Sequence, residues 1–166
     1  MMTSSTNIVG NTQAIAQAGE FNFLSGNWKI LNRQLTSSNP EVWDRFEGEA
    51  SCWSILNGTA SIEELRIPAR NFSGMGLRIL NKEKQVWSDF WMNAKNGILL
   101  TPATEAYFHE GRGVFVSEEI DGDQTILVRG VWDRISDKTC RWEQATSRDG
   151  GNTWQPNWLM DWTRID

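Results

Sequence analysis

The residues of this chain best suited to chemistry are two carboxylates and a set of indoles. Asp89 stands two residues from Trp87 and two from Trp91, so on an extended segment it shares a face with both rings. Burial beside indoles raises a carboxyl pKa toward neutrality, where a general acid or base works best. Glu64 is the second candidate for that duty. Indole faces also stabilise a developing carbocation or iminium, which is the logic of a metal-independent isomerase or cyclase pocket in specialised metabolism. The structural alternative is that Glu64 and Asp89 pair with Arg66 or Arg78, or sit in solvent.

A larger group suits binding. Ten tryptophans accompany a single tyrosine, and Trp87, Trp91, Trp132, Trp142, Trp158 and Met160 form a candidate lining whose aromatic and thioether groups favour a flat or cyclic apolar ligand. Gln144 is the inward polar group expected among them. Buried without a partner it costs about 1–3 kcal/mol, a cost better explained by orienting a ligand than by packing. The other reading is that these side chains fill the interior solidly, since bulky indoles consume volume quickly.

Other chemistries lack their residues. His109, the single histidine, lies in Tyr107-Phe108-His109-Glu110-Gly111, a loop entering a strand, and reads as a loop or surface group. One histidine and two scattered cysteines give no metal-ligand spacing, and haem would rest on His109 alone. No metal and no cofactor is therefore expected. There is no G-x-S-x-G elbow, and Gly74-Met75-Gly76 and Gly111-Arg112-Gly113 lack the strand-to-helix setting of a phosphate cradle.

The totals narrow the partners. A net charge of −5 repels phosphate backbones and anionic lipid, so neither nucleic acid nor membrane is an expected partner, and a small apolar or aromatic molecule is. No apolar run approaches the roughly 20 residues of a spanning helix, and Met1 to Glu20 lacks the basic and apolar regions of a secretory signal. A cytoplasmic location is the expectation, with Cys52 and Cys140 as buried thiols. An unpaired sheet edge or an exposed indole patch leaves a homodimer open.

The elements that must position these residues are strands. From Phe23 onward apolar and polar residues alternate, with turn signals about every ten residues. The pattern predicts strands over 28–35, 43–56, 60–67, 75–80, 86–92, 98–101, 113–120, 125–135, 140–147 and 154–165. Asn57-Gly58, Asp121-Gly122-Asp123 and similar connections read as hairpins. A meander of this kind closes on itself to remove its edges. The expected fold is all-β: an antiparallel up-and-down β-barrel of about 8–10 strands over residues 21–166, preceded by a flexible tail, 1–20, with a short helix from Thr12 to Ala18. Parity turns Phe46, Gly48, Ala50 and Cys52 inward, as it does Ile126, Val128, Gly130 and Trp132, and Trp158, Met160, Trp162 and Arg164. Around residue 90 either Trp87-Asp89-Trp91 or Val86-Ser88-Phe90-Met92 could face in.

Gly26-Asn27-Trp28 at the first strand and Arg164 at the end of the last resemble the lipocalin and fatty-acid-binding-protein superfamily (the calycins). The resemblance implies that the Trp28 indole plugs one barrel end and that Arg164 packs across it. More closely, residues 23–164 resemble an uncharacterised bacterial lipocalin-like family. That likeness lies in Phe23-Leu24-x-Gly26-x-Trp28, Trp43 through Gly48, Leu77-Arg78 with Trp87 and Trp91, Gly111-x-Gly113-x-Phe115, Arg129-x-x-Trp132, and Trp142-x-Gln144 through Trp158-x-Met160 to Arg164. It implies the fold and lends no activity. Ser147 through Trp154 is similar to the Asp-box of sialidases and other β-proteins, S-x-D-x-G-x-T-W, whose job there is to hold a hairpin; a single copy reads as a hairpin here too.

Overall fold

The computed structural model describes residues 14–166. Eleven strands succeed one another: β1 Gly26–Ser38, β2 Glu41–Ile55, β3 Ala60–Ile67, β4 Phe72–Asn81, β5 Val86–Asn93, β6 Ile98–Leu99, β7 Thr104–His109, β8 Arg112–Asp121, β9 Gln124–Asp133, β10 Thr139–Ser147 and β11 Gln155–Arg164. Apart from the stub β6, each pairs antiparallel with the next, and β11 pairs with β1 from Trp28↔Arg164 to Gln34↔Trp158. The result is a closed up-and-down barrel of ten strands, as the alternation predicts.

Two departures from expectation concern local elements. β6 is no stave of the barrel; it pairs only with the end of β5, at Met92↔Leu99 and Asn93↔Ile98. The stave is β7, over residues read as loop, with Thr104, Ala106 and Phe108 on the inner side of its alternation. His109 ends β7 on the outer face with 48% of its side chain exposed, opposite Arg112 across a tight turn in which Glu110 and Gly111 both have positive φ. The expected helix over Thr12 to Ala18 is absent from its described part. Residues 14–17 are irregular and a turn begins at Ala18, because the Ala16 amide donates to Gln85 O at 3.0 Å instead of to a helical carbonyl. Thr12 and Gln13, like the rest of the tail to residue 13, lie outside the described residues.

One end of the barrel is plugged. A single 3-10 turn, Asn22–Leu24, brings Phe21 and Leu24 beneath Trp28, whose Nε1 donates to Leu24 O at 2.7 Å. The Arg164 guanidinium lies 4.2 Å above the Trp28 ring and donates to the carbonyls of Phe23, Ser25 and Asp137. Gly26 explains the first letter of the motif: its φ is 125°, and a Cβ there would collide with Arg164 Nη1. Glycine, indole and arginine are thus parts of one interlock.

Outer-face charges are paired across strands, as in Arg33–Asp161 at 2.7 Å and Arg141–Asp133 at 2.7 Å. Such cross-strand pairs each add a fraction of a kcal/mol. Among the described residues no helix is long and apolar enough to cross a membrane.

Ser147 through Trp154 is the hairpin expected of it. Asp149 accepts from Ser147 Oγ at 2.8 Å, Thr153 N at 2.9 Å and Thr153 Oγ1 at 2.6 Å. Trp154 Nε1 donates to Gly151 O at 3.1 Å, and Arg129 covers the indole at 4.3 Å. The Thr153 bonds, followed by that of Ser147, hold the Asp149 carboxyl down at about 2.

Candidate functional site

Above the plug the barrel is hollow. A cavity of about 390 Å³ occupies its interior, lined on one side by Trp91 and Phe72, on the other by Trp142, Trp132, Trp158 and Met160. The void exists because of what faces the rings. Trp91 lies over Gly74 of β4, and Trp142 over Gly130 of β9; a Cβ on either glycine would enter the ring's own volume. The indoles can therefore lie against the wall instead of projecting into the centre, and neighbouring aromatics hold them there. Trp142 meets Phe115 edge-on at 5.4 Å and Trp132 at 5.2 Å, while Trp91 stacks on Phe72 at 6.3 Å.

The register settles which face of β5 is inward: Trp87, Asp89 and Trp91 oppose Leu80, Arg78 and Gly76 of β4. Trp87 nevertheless lies below the cavity, fully buried edge-on against Phe21 at 4.9 Å, with its Nε1 donating to Glu20 at 2.8 Å. Trp91, Trp132, Trp142, Gln144, Trp158 and Met160 come together as lining. Gln144 donates to Asn157 at 3.2 Å. Trp158 is fixed by the buried Asn32, whose Oδ1 accepts from its Nε1 at 3.0 Å.

The two candidate acids part company. Glu64 projects from the outer face of β3, where it bonds Arg66 at 2.9 Å with half its side chain exposed, and it contributes nothing to the cavity. The acid that β3 buries is its neighbour Glu63, on the face shared with Leu65 and Ile67. That face was legible: two aliphatic residues follow Glu63 at even spacing, whereas Arg66 accompanies Glu64.

Asp89 does line the cavity, at the edge of a polar group that crosses three strands. Arg78 of β4 donates to Glu63 at 2.5 Å and stands 3.4 Å from Asp89. Arg78 and Glu63 keep 6% and 5% of their side-chain surface, whereas Asp89 keeps 23%. Gly76 leaves room for the guanidinium, whose Cζ also lies 5.2 Å from the Phe21 ring. Burial pushes the Asp89 carboxyl up to about 7; Arg78 opposes the rise and Glu63 adds to it.

The sheet is interrupted one rung beyond this acid. β7 stops pairing with β8 at Ala106↔Phe115, and its last rung with β5 is Asp89↔Thr104. Beyond that point Leu100, anchored by its amide to Trp91 O at 2.8 Å, and the exposed Glu119 of β8 border the cavity. Past the Asp89↔Thr104 rung no strand among the described residues joins β5 to β8 directly, and Leu100 and Glu119 line the cavity on either side of that break.

No family model matches the chain, and no curated protein proved significantly similar to it. The ten-strand closed barrel, with Arg164 laid across Trp28, is consistent with the lipocalin-like fold that the sequence motifs imply.

Among the described residues no group of three or more His, Cys, Asp and Glu side chains is arranged to hold a metal. Cys52 and Cys140 are free and buried, and burial, above all other influences, pushes both thiols well above their ordinary range. They behave as small apolar packing groups of the core. Arg66 beside Glu64 and Arg78 beside Asp89 are the partners that the structural alternative named, whereas Glu63, Asn32, Thr104, Ser117 and Glu119 are polar residues in or around the cavity that the sequence did not single out.

Proposed function

We propose that the protein binds a small, largely apolar or aromatic metabolite inside the barrel, as an intracellular binding protein related to the lipocalin-like families. One observation carries this reading. The interior is a cavity of about 390 Å³ walled by indoles, within the range of small-molecule sites, with a few convergent polar groups to orient an occupant. The direct test is quenching of tryptophan fluorescence by a panel of aromatic metabolites, repeated with Ser117→Phe. Ser117 lines the cavity from β8, and a ring placed there occupies the binding volume without touching the plug. Quenching that saturates in the native protein and is lost in the variant supports binding within the barrel. Unchanged quenching in the variant would place any binding outside it.

A second reading is favoured by Asp89. A carboxyl near pKa 7 at the wall of an aromatic cavity is suited to move a proton, as an isomerisation or cyclisation without cofactor requires. Product analysis of each bound compound distinguishes the readings: turnover lost in Asp89→Asn supports the enzyme, and recovery of unaltered compound supports the carrier.

A further inference from the structure

Charge around the cavity is unbalanced, and the imbalance bears on what kind of molecule fits. Three carboxylates, Glu63, Asp89 and Glu119, line the space with a single guanidinium, Arg78. Arg78 is spent on Glu63 at 2.5 Å and retains 6% of its side-chain surface against 23% for Asp89, so an occupant meets the Asp89 carboxyl far more than the guanidinium. A ligand carboxylate would bring a fourth negative group to a wall with no free cation. The negative ring faces of Trp91, Trp142 and Trp158, by contrast, attract positive charge.

We propose, building on the binding function above, that the cavity selects an organic cation, an amine with a compact aromatic or apolar body, whose ammonium group sits on Asp89 while its body lies among the indoles. A second acid supports this assignment, because the exposed Glu119 of β8 lines the same cavity as Asp89. A cation in that space has two accessible carboxylates near it. The unpartnered N–H groups of Arg78, Trp132 and Trp162 do not favour an anion instead, since those atoms have no surface open to the cavity.

Binding of such a cation depends on pH with a definite sign. The charged groups facing Asp89 are Arg78 from β4 and Glu63 from β3, whereas Thr104 from β7 and Ser117 from β8 are uncharged. Burial lifts Asp89 to about 7, so a proton competes with the ammonium group for the same oxygens. Amine affinity therefore rises with pH, by up to about tenfold per unit below 7, and levels off above it.

The test uses three molecules of one shape and different charge, tryptamine, tryptophol and indolepropionate, titrated calorimetrically into the full chain and into Asp89→Asn at about pH 6 and about pH 8. Tryptamine should bind at least about tenfold more tightly than tryptophol at the higher pH, with the preference shrinking at the lower. In Asp89→Asn the preference and its pH dependence should disappear while tryptophol affinity is retained, which also shows that the variant is folded. Equal affinity for tryptamine and tryptophol, or a preference for indolepropionate, overturns the cation assignment and leaves the cavity as a site for uncharged or anionic molecules. No binding by any of the three overturns both the assignment and the binding function on which it rests.

Discussion

Asp89→Asn should make the protein more stable at alkaline pH, although the substitution removes an ionic partner of Arg78. The carboxyl lies at about 7 in the folded chain against an ordinary 3.8, so the native state holds a proton that the unfolded chain releases. From about pH 4 to about pH 7 the unfolded state therefore binds fewer protons, and native stability falls as pH rises through that window, then stays level. Three units at about 1.4 kcal/mol each give a cost of about 4 kcal/mol at pH 8. That figure is a ceiling, because Asp89 keeps 23% of its side-chain surface. Asparagine mimics the protonated form and leaves Arg78 balanced by Glu63 at 2.5 Å. Urea denaturation of both proteins between about pH 4 and pH 8 measures the effect as a shift in midpoint at constant slope. The variant should gain stability steadily over the native protein as pH rises, by as much as about 4 kcal/mol at the top of the range. Parallel pH profiles, or a less stable variant at pH 8, would falsify the claim that the barrel holds this carboxyl against its ordinary ionisation.

Four further outcomes follow from the same geometry. Arg78→Met leaves Glu63 and Asp89 without a cation in the interior, and should cost about 3–5 kcal/mol at pH 8, less in acid where Asp89 is protonated; the same urea series reads it. Glu64→Gln, on the exposed outer face, should change stability by no more than about 0.5 kcal/mol and leave ligand quenching untouched. Gly130→Ala forces Trp142 off the wall, and should cost about 1–3 kcal/mol while weakening every cavity ligand. Asp149→Ala removes the acceptor of Ser147 and Thr153, so its hairpin should exchange amide protons faster, a loss the native protein itself shows progressively as pH falls from about 4 to about 2.

Period-2 alternation carried most of the fold. Because inward and outward positions differ in polarity on nearly every stave, the barrel and the inner faces of β2, β9 and β11 were legible in the sequence; the contact of Trp28 with Arg164 came from the resemblance to the lipocalin superfamily, not from alternation. What alternation cannot give is depth along the barrel axis. Trp87 and Trp91 share a face, yet one sits in the plug and the other lines the cavity, a difference set by strand register. Nor does it choose between two plausible faces on its own: Val86 is buried alongside Trp87, and only pairing with Arg78 and Gly76 turns Asp89 and Trp91 inward. β7 escaped notice although Thr104, Tyr107 and Phe108 favour strands, because Glu105-Ala106 interrupts them and Glu110-Gly111 follows at once, so the run reads as loop; its place comes from closing the gap between β5 and β8. For β3 the cue was present and pointed to Glu63, since Leu65 and Ile67 share its parity.

The hollow interior and the awkward acid have a common logic. The tryptophans turned into this ten-strand barrel would ordinarily crowd the axis, and an alanine in place of Gly74 or Gly130 would push a ring toward it. The chain instead places glycine under two of the rings that border the void, which gives up packing that larger residues would supply. Asp89 lies on the same wall at a further cost to stability, while asparagine or a hydrophobic residue there would relieve it. Features that weaken a fold locally, gathered around one accessible space, are those expected where the space itself has work to do. A barrel selected only to be stable would have closed over its centre and left no carboxylate facing into it.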